Sequence, residues 1–168
     1  MAPSAQLLSV FLACSTILSA VHPSAADDSP TAYDVLRQYG FPVGLLPRGV
    51  TSYELDASTG KFSVYLNGSC SFTIDGYQLK YKSTITGKIS PGKLSDLGGV
   101  QVKILLFWVN IVEVTNDGSE IDFSVGIASA SFTIDNFFES PQCGCGFDCA
   151  NGGKKGISPA AQRLISSS

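Results

Sequence analysis

The chain has 168 residues, of which 15% are charged and 44% hydrophobic, and a formal net charge of −3. A charged share below the usual value of about 25%, with a slightly acidic balance, leaves no global attraction to nucleic acid. The length fits a leader and one domain that buries roughly two-thirds of its unfolded surface.

Residues 1–26 contain no Lys, Arg, Asp or Glu. The apolar run from Leu7 to Val21 is shorter than the roughly 20 residues of a membrane span. Ser24 and Ala26 take the small-residue positions of a cut before Asp27, so 1–26 is expected to be a signal peptide. The destination is then outside the cell or the endomembrane lumen. Cleavage removes Cys14 and also His22, the one histidine in the chain.

Asp27 to Gly40 predicts a short helix: Ser29 caps, Pro30 suits the first turn, and Gly40 with Pro42 ends it. Val35, Leu36 and Tyr39 form its apolar stripe. "GFPVGLLPRG" is a connection, and after it the pattern alternates with a period near two. Val50–Asp56 and Lys61–Leu66 read as strands around "ASTG". Asn67-Gly68 reads as a hairpin turn inside "FSVYLNGSCSFTI", since both residues tolerate positive φ. Gly76–Thr86 alternates Leu79, Tyr81 and Ile85 against Lys80, Lys82 and Thr84. Val100–Thr115 is too long for a flat strand and too β-branched for a preferred helix, so one bent central strand is expected, paired with Glu120–Ile134. No helix signal follows the first. "SFTID" occurs at Ser71–Asp75 and again at Ser131–Asp135, which two alternating strands explain. The fold class is mainly β: a curled antiparallel sheet or barrel with one short N-terminal helix, over residues 27–142. Residues 143–168 read as a Cys/Gly-rich loop and flexible tail.

Four cysteines remain in the mature chain: Cys70, Cys143, Cys145 and Cys149. An even set in an oxidising compartment predicts two disulfides. A Cys143–Cys145 bridge is disfavoured by the reach of an extended chain. Two pairings survive, Cys70–Cys143 with Cys145–Cys149 or Cys70–Cys145 with Cys143–Cys149, and the first is preferred. A zinc site is not expected, because paired C-x2-C units are missing. No cofactor is expected either.

Searches for catalytic chemistry find little. "GKISPGK" fits the phosphate-loop pattern, but Leu94 stands where Ser or Thr must reach magnesium, so a turn is expected. Without a mature histidine, Ser–His–Asp and Cys–His arrangements lack a base. Glu120 and Asp122 share a strand face at a separation a carboxylate hydrolase could use, yet a solvated acidic face is the commoner meaning. The protein is therefore expected not to be an enzyme. Asn67 in "NGS" is an N-glycosylation acceptor.

Two binding surfaces remain. Leu105, Phe107, Trp108, Phe123, Ile127 and Phe132 are rich enough in apolar area to line a ligand cavity. Lys80, Lys82, Lys88, Lys93 and Lys103 form a basic face suited to an acidic polysaccharide or a membrane surface. The leading expectation is a secreted binding protein that holds an apolar small molecule or lipid inside the curled sheet. The alternative is a cell-wall or membrane-surface interaction through the lysines.

"YDVLRQYGFPVGLLPRGVTSYELDASTGKFSVYL", "ITGKISPGKLSDLGGVQVK" and "IDFSVGIASASFTIDNFFESPQC" together resemble the plant domain of unknown function 538 family, from Tyr33 to Cys143. Phe41 stands where that family more often has Leu. The resemblance implies a curled β fold likened to half of a bactericidal/permeability-increasing protein, whose relatives in shape hold lipids; the place in the apoplast or endomembrane lumen is expected from the signal peptide. It implies no catalytic residues.

Overall fold

The computed structural model describes residues 29–74, 76–147 and 149. The expected signal peptide, residues 1–26, and most of the expected tail, residues 143–168, lie outside the described residues. The helix α1 spans Ala32–Gln38. Its cap is Thr31 rather than Ser29, because Thr31 and Asp34 complete a reciprocal capping box. At the other end, Gly40 has φ +83°. The Phe41 N–H reaches the Leu36 carbonyl and the Gly40 N–H that of Arg37, the two bonds of a Schellman stop. A 3-10 turn at Val43–Leu45 then carries the chain to the sheet.

Among the described residues nine strands make one antiparallel sheet: β1 Val50–Leu55, β2 Lys61–Leu66, β3 Cys70–Ile74, β4 Tyr77–Ser90, β5 Lys93–Ile104, β6 Phe107–Asn110, β7 Glu113–Asn116, β8 Glu120–Ser124 and β9 Ser129–Thr133. The order is β1-β2-β4-β5-β7-β8-β9, with β3 on β4 and β6 on β5, and the sheet does not close into a barrel. Its spine is the β4–β5 ribbon, turned at Pro91-Gly92 with Gly92 at φ +68°. "GKISPGK" is this hairpin end and opens no helix.

The ribbon divides the sheet in two. Near its turn it is flanked by β2 and β7, and at its far end by β3 and β6. Between the halves the register slips: Tyr81 faces Val100, but Thr86 faces Gly98. Gly99 (φ +89°) lies at this dislocation, and Asp96 (φ +51°) at a second slip between Thr86↔Gly98 and Lys88↔Ser95. Such bulges bend a ribbon and increase its twist.

Three expected elements differ. Val100–Thr115 is not one strand: the chain reverses after Ile104, runs back as β6, and crosses through Ile111 and Val112 into β7, which pairs with the start of β5. The missed turn is Leu105-Leu106, which has no Gly, Asn or Asp to announce it, although Leu105 takes φ +56°. Glu120–Ile134 is likewise two strands, β8 and β9, around Gly126 at φ +93°, and a 3-10 turn follows at Ile134–Phe137. Asn67-Gly68 joins no hairpin. β2 pairs with Tyr65↔Thr84 through Lys61↔Lys88 and β3 with Cys70↔Tyr81 through Ile74↔Tyr77, so the two lie end to end along one edge of β4. The hairpin reversal lies instead between Ile74 and Tyr77, with Gly76 at φ +82°. The two "SFTID" copies also diverge, one entering that hairpin and the other the 3-10 turn.

The core lies where α1 and the 3-10 turn cover the sheet. Leu36, Phe41, Leu45, Val64, Ile85 and Val114 are buried there together. Tyr81 is buried among them and donates its hydroxyl to the Leu45 carbonyl at 3.1 Å, and burial pushes its phenol upward. On the rim, Asp56 anchors the β1–β2 turn by accepting from the Ser58 hydroxyl (2.6 Å), the Thr59 hydroxyl (2.7 Å) and the Ser58 N–H (2.9 Å). These bonds, that of the Ser58 side chain foremost, lower its carboxyl to about 2. A pKa depressed in the folded state stabilises above the ordinary value of 3.8 and stops doing so as pH falls toward 2. Asp56→Asn is thus expected to unfold earlier than wild type in denaturant at pH 7, with the gap closing at pH 2.

Candidate functional site

The six apolar candidates separate into two groups. Phe123 and Phe132 face inward and meet edge to face at 5.8 Å, with Phe137 5.5 Å from Phe123 and Tyr77 5.6 Å from Phe132. Leu105, Phe107, Trp108 and Ile127 are exposed and line neither the cavity beneath α1 nor the groove beside Arg37. Ile127 is 93% exposed at the β8–β9 turn, while Leu105, Leu106, Phe107 and Trp108 are 88%, 83%, 72% and 41% exposed at the β5–β6 turn. The correction follows from the reversal after Ile104, which carries the centre of the supposed core strand to the end of a hairpin.

Beneath α1 there is an apolar cavity of about 70 Å³, lined by residues that include Leu36, Leu45, Tyr53, Val64, Ile111 and Phe123. It is about half the volume of cavities that hold benzene or xenon, roughly 150 Å³. It is also well below the roughly 300–1,000 Å³ of ordinary ligand pockets. A shallow groove of about 330 Å³ lies beside Arg37, Phe41 and Phe138, open to solvent, with the Arg37 guanidinium already 3.0 Å from Asp34.

The basic face divides as well. Lys88 pairs with Asp96 and Lys93 with Glu113, each at 2.8 Å. The other three stand on the far half of the ribbon, Lys80 and Lys103 nearer the apolar tip than Lys82. Lys80 and Lys82 share one face of β4, and Lys103 lies opposite Trp108 in the register of β5 and β6. The Lys80 ammonium sits 6.0 Å from the Trp108 ring centre. Among the described residues, Lys82 and Lys103 make no ion pair. The hydropathy pattern missed this juxtaposition of exposed apolar tip and lysines. A signal was present in Leu105-Leu106, which sit within six uninterrupted apolar residues, Ile104–Val109, directly after Lys103.

The remaining candidates are spread out. Cys70 is joined to Cys143 and Cys145 to Cys149. The first bridge ties the C-terminal segment across β3, where the Gly144 N–H also bonds the Ser71 carbonyl at 2.7 Å. Asn67 is exposed in the link between β2 and β3. Glu120 is exposed on β8, and Asp122 accepts the Ser131 hydroxyl of β9, so one of the two carboxylates is engaged structurally. No group of His, Cys, Asp or Glu among the described residues is arranged to hold a metal ion.

Known sequences were compared with the chain. The family described as protein of unknown function, DUF538, matches residues 32–138. An uncharacterized protein of Arabidopsis thaliana is 33% identical over 95 residues, which cover 56% of this chain and 55% of the relative. The chain thus spans about half the length of the relative it matches.

Proposed function

We propose that this chain, which belongs to the DUF538 family, is a secreted, non-enzymatic binding protein that engages lipid-like apolar partners through the tip of its β5–β6 hairpin. The observation that carries this reading is the run Ile104–Trp108, five consecutive apolar residues left in water at one end of the sheet. Single exposed apolar side chains are ordinary, but a contiguous protruding group marks an interaction site. Each leucine or phenylalanine side chain fully removed from water contributes about 1.5–3 kcal/mol. The two disulfides favour an oxidising compartment.

Size favours the outside over the inside. The cavity under α1, at about 70 Å³, falls short of the roughly 150 Å³ that holds benzene or xenon. A whole acyl chain would require α1 to lift from the sheet. The family resemblance to lipid-holding folds agrees in ligand chemistry, with the contact moved to the surface.

Leu105 supplies the test. It occupies φ +56°, where glycine is unstrained and leucine is not. Leu105→Gly is expected to leave the denaturant midpoint within about 0.5 kcal/mol of wild type or raise it. The same change should weaken sedimentation with phosphatidylcholine vesicles by about 1.5 kcal/mol or more, roughly tenfold. Unchanged lipid binding in that variant, or wild-type protein that never sediments with lipid, would overturn the proposal.

A further inference from the structure

We infer that the partner of the hairpin tip is the surface of an anionic lipid bilayer, entered by Leu105 and Leu106 with Trp108, Lys80 and Lys103 held at headgroup level. This rests on the lipid-like reading above and adds the charge of the surface and the depth of entry.

The first support is the tip residue itself. Position 105 needs positive φ and packs against little, so turn geometry favours glycine or asparagine there. Neither fold stability nor turn chemistry explains a leucine at that place, and strain kept at an exposed position points to a use outside the fold.

Charge is the second. The chain as a whole is acidic, with net charge −3. Yet segments 70–83 and 99–110, which form this end of the sheet, contain Lys80, Lys82 and Lys103 against the single acid Asp75. The acids that meet lysines, Asp96 and Glu113, do so on the other half of the ribbon. Ammonium groups that meet no acid among the described residues, beside an apolar tip, match a layer whose headgroups are negative and whose interior is hydrocarbon. Lys80 over the Trp108 ring combines a cation with an aromatic side chain that favours the membrane interface.

Depth is limited by backbone chemistry. β6 is an edge strand, and its outward N–H and C=O groups must stay in water or among headgroups. The two-residue turn and the Ile104–Phe107 pair are therefore the part that can enter. Exposure falls from Leu105 to Trp108 in that same order.

The experiment compares the full oxidised chain on vesicles of phosphatidylcholine alone and of phosphatidylcholine mixed with phosphatidylserine. At least tenfold tighter binding to the mixed vesicles is expected, with the advantage lost as salt screens the surface. Lys80→Gln combined with Lys103→Gln should lose about tenfold or more on mixed vesicles and almost nothing on phosphatidylcholine. Equal binding to both vesicle types would sink the anionic partner while leaving the lipid reading standing. Absence of binding to either would sink both. Retention on polygalacturonate without vesicle binding would assign the lysines to an acidic polysaccharide, and a concentration-dependent dimer abolished by Leu105→Gly would assign the tip to a second copy. Either result would overturn the inference.

Discussion

Cys143→Ala is expected to lower the unfolding free energy by about 4 kcal/mol, the value that chain-entropy arguments give for a long closed loop. Cys70 and Cys143 are 73 residues apart, so their bridge restricts most of the unfolded domain. Cys70 is 1% exposed, whereas Cys143 is exposed, so removing the latter cuts the tether and leaves the core thiol in place. The tethered segment has few other holds: Arg48 N–H on the Pro141 carbonyl at 2.8 Å, and Gly144 N–H on Ser71. The bridge between Cys145 and Cys149 closes a separation of only 4. Cys149→Ala should cost about 2 kcal/mol by the same reasoning. Denaturant titration of both variants checks this, and equal losses would contradict the assigned roles.

Gly99→Val is expected to be as damaging, at about 4 kcal/mol, from positive-φ strain and overpacking of roughly 1–3 kcal/mol each. Gly99 lies at φ +89° in the dislocation of the β4–β5 ribbon, and a Cβ there would stand 2.3 Å from the Thr84 carbonyl oxygen and 3.2 Å from the Ile85 Cα. Both are backbone atoms of the paired strand and cannot turn aside. Gly118 has a similar φ of +100° but open space around it. Gly118→Ala should therefore show the conformational penalty alone, about 1 kcal/mol. If thermal melts put the two variants level, close approach is not what requires glycine at the bend.

Much of the framework was legible because local chemistry and tertiary packing agree there. The β1 and β2 strands alternate as their burial does, α1 has its apolar stripe and glycine stop, and an even cysteine set yields two bridges. The failures came where local signals and tertiary context part. Asn67-Gly68 suits a tight reversal, but β4 is long enough to pair with β2 and β3 in succession, and the extra pairing wins. Leu105-Leu106 reverses the chain without any residue that favours doing so. A hydropathy pattern reports that Phe107 and Trp108 are apolar, but it does not say whether an apolar residue faces a core or a partner. Reading them as cavity lining followed from that ambiguity. The lysine face was visible as an alternation, whereas its division into paired and unpaired halves depends on Asp96 and Glu113 meeting Lys88 and Lys93 across the sheet.

The chain contains one tryptophan, Trp108, and it stands at the tip proposed to meet lipid. Its emission therefore reports on that site alone. When the full oxidised chain is titrated with vesicles carrying phosphatidylserine, the emission should move to shorter wavelength, and lipids brominated near the headgroup end of the acyl chain should quench it more than lipids brominated near the terminal methyl. Emission that stays unchanged at lipid concentrations where the protein sediments with the vesicles would place the contact elsewhere on the molecule and contradict the assignment of the β5–β6 hairpin.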